Sequence, residues 1–211
     1  MRSGNRPVCS VSGGLRHLNG VVRAAVLALC VLVPLEGGAQ SSPRPALAER
    51  LAVCQACHGA DGNSRIAGIP SLAGQPAFFL MNQLFLMREG VRRVEAMGDL
   101  IKNFRDEELD AVARHYAALP SRASDEAVDP ALAERGAALA NAKRCGSCHL
   151  PNLAGQEQMP RVARQRIDYL VHAMKAFRDN QRSGADTAMS AVVYGMSDAD
   201  LTALAHHAAT K

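Results

Sequence analysis

Cys-x-x-Cys-His occurs twice in this chain, as Cys54-Gln55-Ala56-Cys57-His58 and Cys145-Gly146-Ser147-Cys148-His149, with the first cysteines ninety-one residues apart. Two thiols at this spacing can form thioether bonds to the two vinyl groups of one porphyrin. The adjacent histidine is then held beneath the iron as an axial ligand. Zinc knuckles and redox disulfides also use Cys-x-x-Cys. A four-cysteine zinc site, however, brings its pairs within about twenty residues of each other. Here the pairs lie a small domain apart and both carry the histidine, a pattern that favours two covalent haems.

The start of the chain reads as a targeting segment. Arg2, Arg6, Arg16 and Arg23 give a basic opening, Ala24 to Leu35 form an apolar stretch broken only by Pro34, and Gly37-Gly38-Ala39 supply small residues for cleavage. The apolar stretch is twelve residues, short of the roughly 20 needed to span a bilayer. Residues 1–39 are therefore expected to be a secretory signal peptide removed after Ala39, with no stable membrane insertion afterwards. Leu29 before Cys30 argues against a lipid anchor. Cys9 and Cys30 leave with the signal, so the mature chain keeps the four haem cysteines and no thiol for a structural disulfide.

Processing also changes the charge. The whole chain has 24 Lys plus Arg against 20 Asp plus Glu. The signal removes four and one of these, leaving 20 against 19, or +1. With four haem propionates added, the mature protein is slightly acidic, which gives no reason to expect nucleic acid or an anionic membrane as partner. Arg161, Arg164 and Arg166 form the one local basic cluster, expected on a solvated or propionate-pairing face.

The remainder reads as one unit written twice. Pro70, Leu72, Gln75 and Leu80 match Pro160, Val162, Gln165 and Leu170 at an offset of ninety, as Phe79 and Arg88 match Tyr169 and Arg178. Asp106, Glu108, Leu109, Ala111, Ala113 and His115 match Asp198, Asp200, Leu201, Ala203, Ala205 and His207 at ninety-two. Pro-Ala-Leu-Ala-Glu-Arg at Pro45 and Pro130, and Leu-Ala-Gly-Gln at Leu72 and Leu153, fall out of this register and are coincidences of composition. Each half predicts a short helix into the haem motif, a loop, a middle helix and a final helix. Phe79, Leu80, Gln83, Leu84 and Met87 mark the first middle helix, and Tyr169, Leu170, Met174 and Phe177 the second. The final helices are expected to begin near Asp106 and Ser197, with Ser197 and Asp200 as a capping pair. No segment reads as a strand. The boundary between halves is expected in the polar stretch Ser121 to Asp129, giving domains 40–127 and 128–211.

These residues carry a specific resemblance. The two haem motifs, Cys57-His58-Gly59-Ala60-Asp61-Gly62, Pro70-Ser71-Leu72-Ala73-Gly74-Gln75, and the run Met97 through Phe104 into Asp106-Glu107-Glu108-Leu109 make the chain similar to di-haem class I cytochromes c of the cytochrome c4 type. The resemblance implies an all-α fold of two tandem class I cytochrome c domains related by approximate two-fold symmetry. It also implies iron held by His and Met, and electron transfer in the periplasm. The second half departs from the first at Leu150, Asn180 and Ala208, where the first has Gly59, Gly90 and Tyr116.

Of the eight methionines, Met97 and Met189 fit the sixth position. They lie thirty-nine and forty residues after His58 and His149, and each lies seven before its repeat mates Phe104 and Met196. Met81, Met87 and Met174 fall on middle helices and suit core packing; Met159 precedes Pro160 on the histidine side. Both methionines are expected in loops. By resemblance, the carbonyls of Pro70 and Pro160 accept a hydrogen bond from the axial histidines. His115, His172, His206 and His207 are expected at the surface.

Two irons with both axial positions filled would exchange single electrons and bind no substrate, so the protein is expected to be a carrier rather than an enzyme. The leading expectation is a soluble periplasmic carrier between a quinol-oxidising cytochrome bc complex and a terminal oxidase. The alternative is the electron-accepting subunit of a periplasmic dehydrogenase, such as a flavoprotein oxidising sulfide. Catalysis at one haem, as in di-haem peroxidases, is disfavoured by the short chain and the two methionines.

Overall fold

Helix boundaries follow the capping chemistry in each half. The computed structural model describes residues 46–182, 184 and 187–211, and the expected signal segment lies outside the described residues. The first half holds α1 (Leu47–His58), α2 (Ala77–Arg88), α3 (Glu95–Ile101) and α4 (Asp106–Ala117). The second holds α5 (Pro130–Ala142), α6 (Gly146–His149), α7 (Ile167–Arg178), α8 (Thr187–Val193) and α9 (Asp198–Ala209). At the start of α5, the Asp129 carboxylate accepts from Ala131 N and Leu132 N at 2.8 and 3.1 Å, with Pro130 in the first turn where no donor is needed. Asp200 N donates to Ser197 Oγ at 3.1 Å to open α9, and Arg105 N donates to the Glu108 carboxylate at 2.9 Å to open α4. Among the described residues there is no strand, only an isolated bridge between Gln156 and Met159.

Each half buries its own apolar cluster. In the first, Leu51 of α1 and Leu80 of α2 pack with Ile101, Phe104 and the α4 residues Leu109, Val112, Ala113 and Tyr116. In the second, Ile167 and Leu170 of α7 pack with Leu153, Ala163 and the α9 residues Ala205, Ala208 and Ala209. A neighbouring cluster joins Ala140, Val193, Met196, Leu201 and Leu204. The repeat extends to single hydrogen bonds. Arg88 Nη1 donates to Phe104 O at 2.9 Å, and Arg178 Nη1 donates to Met196 O at 3.1 Å. Gly74 N donates to Tyr116 O as Arg164 N does to Ala208 O, each at 3.0 Å.

Residues 45–211 form one compact unit, and the halves meet through a reciprocal set of bonds. Ser71 N donates to Gln165 Oε1 and Gln165 Nε2 returns to Ser71 O, at 2.8 and 2.9 Å. Arg161 N donates to Gln75 Oε1 and Gln75 Nε2 returns to Arg161 O, at 3.0 and 2.8 Å. Ser71 and Arg161 are repeat mates, as are Gln75 and Gln165. Each half thus presents the same patch to the other, the signature of a local two-fold axis.

Three sequence expectations are corrected. Met97 and Met189 sit on the short helices α3 and α8 rather than in loops. Seven residues make barely two turns, too few for an apolar period to show in the sequence. The arginine cluster is not a solvated face: Arg161 and Arg166 are only 4% and 5% exposed. Both halves supply their partners: Arg161 donates to Ala73 O at 2.9 Å in the other half and to Ala163 O in its own, and Arg166 donates to the Asp125 and Asp168 carboxylates, each at 2.9 Å. Only Arg164 stays exposed. Of the four histidines expected at the surface, His172 is exposed, but the other three are less so. His115 and His207 are half-buried, and His206 Nδ1 accepts from Asp129 N at 3.0 Å, tying the interdomain segment to α9.

Candidate haem sites

Both haem motifs open onto one cavity of about 1560 Å³. Its lining includes Cys54, Cys57, His58 and Met97 from the first half, and Cys145, Cys148, His149 and Met189 from the second. No two of the four described cysteines are joined in a disulfide; Cys57 and Cys148 are exposed and Cys54 and Cys145 half-buried. Burial pushes the Cys54 and Cys145 thiols above their ordinary pKa. Among the described residues, no three His, Cys, Asp or Glu side chains are placed to share a metal ion.

The histidines occupy matching positions. His58 Nδ1 lies 2.8 Å from Pro70 O, and His149 Nδ1 lies 2.8 Å from Pro160 O. In each pair the carbonyl can only accept, so the ring nitrogen carries the proton and Nε2 keeps its lone pair. Burial holds both imidazoles below the ordinary histidine range, outweighing the upward pull of the proline carbonyl. Met97 and Met189 line the same cavity, half-buried. The Arg88 and Arg178 clamps fasten the middle helices to the chain just after each methionine helix.

The remaining lining fits an apolar disc that carries carboxylates. Leu72, Phe79 and Leu80 of the first half and Val162, Leu170 and Leu204 of the second supply apolar lining. Against these stand cations without carboxylate partners among the described residues. Arg161 Nε and Arg182 Nε are buried with no hydrogen-bond partner, and burial pulls the Arg161 guanidinium down to about 10. Arg92 donates to Gln83 Oε1 at 2.6 Å and bonds Tyr169, which also bonds Arg182. Burial alone would push the Tyr169 phenol up, but Arg182 and Arg92 pull it below the ordinary phenol range. Buried cations at an apolar cavity are costly unless an anion joins them, and the propionates of a bound haem would supply that charge. Gln75, Gln165, Arg92, Arg182 and Tyr169 had no role assigned from sequence. Their signal was present, since Arg92 and Arg182 keep the ninety-residue offset.

The comparisons agree with this geometry. The cytochrome c family model matches residues 133–209. Cytochrome c4 of Pseudomonas aeruginosa is 31% identical over 169 residues, covering 75% of this chain and 83% of that one. The thiosulfate dehydrogenase electron acceptor of Thiomonas intermedia is 33% identical over 196 residues, covering 85% of this chain and 88% of that one. The crystal structure of reduced recombinant cytochrome c4 from Pseudomonas stutzeri superposes with a TM-score of 0.70 at 29% identity, covering 75% of this chain and 93% of that one. The chain therefore belongs to the cytochrome c4 family of di-haem electron-transfer proteins, with two covalently bound c-type haems.

Proposed function

We propose that Cys54 and Cys57 carry one haem and Cys145 and Cys148 the other, in domains spanning residues 40–127 and 128–211. His58 and Met97 are the axial ligands of the first iron, and His149 and Met189 those of the second. The observation that carries this reading is the matched pair of histidines, each committed through Nδ1 to a proline carbonyl at 2.8 Å. That bond fixes the ring orientation and leaves Nε2 for the metal. Bound haem with a side chain on each face supplies a one-electron couple and no open position for a substrate. The chain's own residues hold the ring, exclude water and neutralise the propionates.

The protein is read as a periplasmic carrier from a quinol-oxidising cytochrome bc complex to a terminal oxidase. No helix among the described residues is long and apolar enough to cross a membrane. A second reading is favoured by the Thiomonas relative, named as the electron acceptor of a thiosulfate dehydrogenase: this chain would then receive electrons from a periplasmic dehydrogenase of an inorganic sulfur compound. Mixing the ferric holoprotein with native membranes and quinol, or with the soluble periplasmic fraction and thiosulfate or sulfide, separates the two. The carrier reading expects bc-inhibitor-sensitive reduction by membranes and reoxidation by the oxidase. Reduction only by the soluble fraction with a sulfur compound favours the acceptor reading. Rapid carbon monoxide binding to either ferrous haem at neutral pH would overturn the closed coordination that both require.

A further inference from the structure

Two of the bonds that join the halves fall on the two peptide units that hold the histidines. Pro70 C=O and Ser71 N–H belong to one planar amide. Its oxygen accepts from His58 Nδ1 at 2.8 Å and its N–H donates to Gln165 Oε1 at 2.8 Å. In the second half, Pro160 C=O accepts from His149 at 2.8 Å, and Arg161 N–H donates to Gln75 Oε1 at 3.0 Å. The glutamines are 4% (Gln75) and 2% (Gln165) exposed, so water is no substitute for either. Their amide orientation is dictated, because each second bond returns from Nε2 to the following carbonyl, Ser71 O or Arg161 O. A flipped amide would set donor against donor and acceptor against acceptor.

Hydrogen bonds in series polarise one another. An acceptor at the amide N–H draws electron density toward the carbonyl oxygen, which then pulls harder on the imidazole proton. A more strongly held Nδ1 proton makes Nε2 the better electron donor. We infer that Gln165 tunes His58 and Gln75 tunes His149, so that each half supplies the positioning residue for the axial ligand of the other half's haem. The inference rests on the reading of His58 and His149 as axial ligands. Glue between domains has no need to sit on these peptides, yet both glutamines do, and by the same pair of bonds.

A stronger donor stabilises ferric over ferrous iron, so losing the glutamine raises the potential of the crossed haem. Redox titration of the holoprotein tests this, with Met97→His used once to identify the first haem's wave by its drop. Gln165→Leu should raise the first haem's potential and Gln75→Leu the second's. A threefold change in the ferric-to-ferrous affinity ratio corresponds to about 28 mV at 59 mV per tenfold. Should a leucine variant fail to accumulate with two haems, Gln165→Glu and Gln75→Glu keep an acceptor oxygen and should hold the crossed potential at or below its original value. Movement of the haem in the glutamine's own half, equal movement of both, or no movement overturns the inference. If Met97→His itself moves neither wave, the ligand reading fails instead.

Discussion

In the first half a tyrosine on the last helix fills the space behind a glycine, whereas in the second a leucine in the loop fills it from the opposite side, against an alanine helix. The positions correspond, because Leu72 N and Ala73 N both donate to Gly62 O, as Val162 N and Ala163 N do to Leu153 O. A Cβ on Gly62 would meet Tyr116 Cδ1 at 2.9 Å. Leu153, at a φ of 58, packs instead with Ala205 and Ala208. The backbone frame around each haem site is kept while side-chain volume is exchanged across it. A core of this kind is constrained by how much it holds rather than by which residue holds it.

The helix contacts differ in the same spirit. Where α5 crosses α9, a Cβ on Gly136 would lie 2.0 Å from Ala203 O, so the two backbones touch. Between α1 and α4, Arg50 reaches Glu108 at 3.3 Å and stands over the Phe104 ring at 4.3 Å from its centroid. An arginine–carboxylate bridge spans both helix pairs, Arg135 reaching Asp200 at 2.6 Å as Arg50 reaches Glu108. Close backbone approach is added in one half and an aromatic partner for the cation in the other.

The largest effect should come from the exchanged volume. Tyr116→Ala should cost about 3–5 kcal/mol in chemical denaturation of the holoprotein. Adding Gly62→Leu should recover more than about 1 kcal/mol, since neighbouring sites couple. If the double variant is no better than the single one, the volume exchange is not the reason for the difference.

A smaller loss is expected at the crossing. Gly136→Ala should destabilise by about 1–3 kcal/mol through overpacking, with haem absorbance and helical signal followed through a urea transition. A neutral result would mean that α5 and α9 can separate without loss.

The weakest contrast lies on the exposed surface beside the cysteines. Lys143 and Arg144 precede the second motif where the first has Ala52 and Val53; all four are exposed. Lys143→Gln with Arg144→Gln should leave stability within about 0.5 kcal/mol. The same double change should slow low-salt electron exchange with hexacyanoferrate by less than about tenfold, and the difference should fade as salt screens the charges. Unchanged salt dependence would remove these residues from the exchange surface.

Much of the site was legible in the chain itself because the chemistry is local. Cysteine spacing, the adjoining histidine, and the ninety- and ninety-two-residue offsets named the elements and the two methionines without any fold. The departures Leu150 and Asn180 were visible too, yet the backbone keeps positive φ at both, 68 and 53, as at Gly59 and Gly90. What stayed hidden depends on partners far away in sequence. Arg161 and Arg166 read as a solvated run because part of what buries them is distant in sequence: Ala73 O of the other half and the Asp125 carboxylate join the local acceptors Ala163 O and Asp168. The short methionine helices escaped because seven residues carry no period. The sequence by itself determined two haem anchors in two similar helical halves. Tertiary structure alone decided that Gln165 meets Ser71 across 94 residues and Gln75 meets Arg161 across 86, because a side-chain amide can pair with any exposed peptide edge and only the docking of the halves selects which.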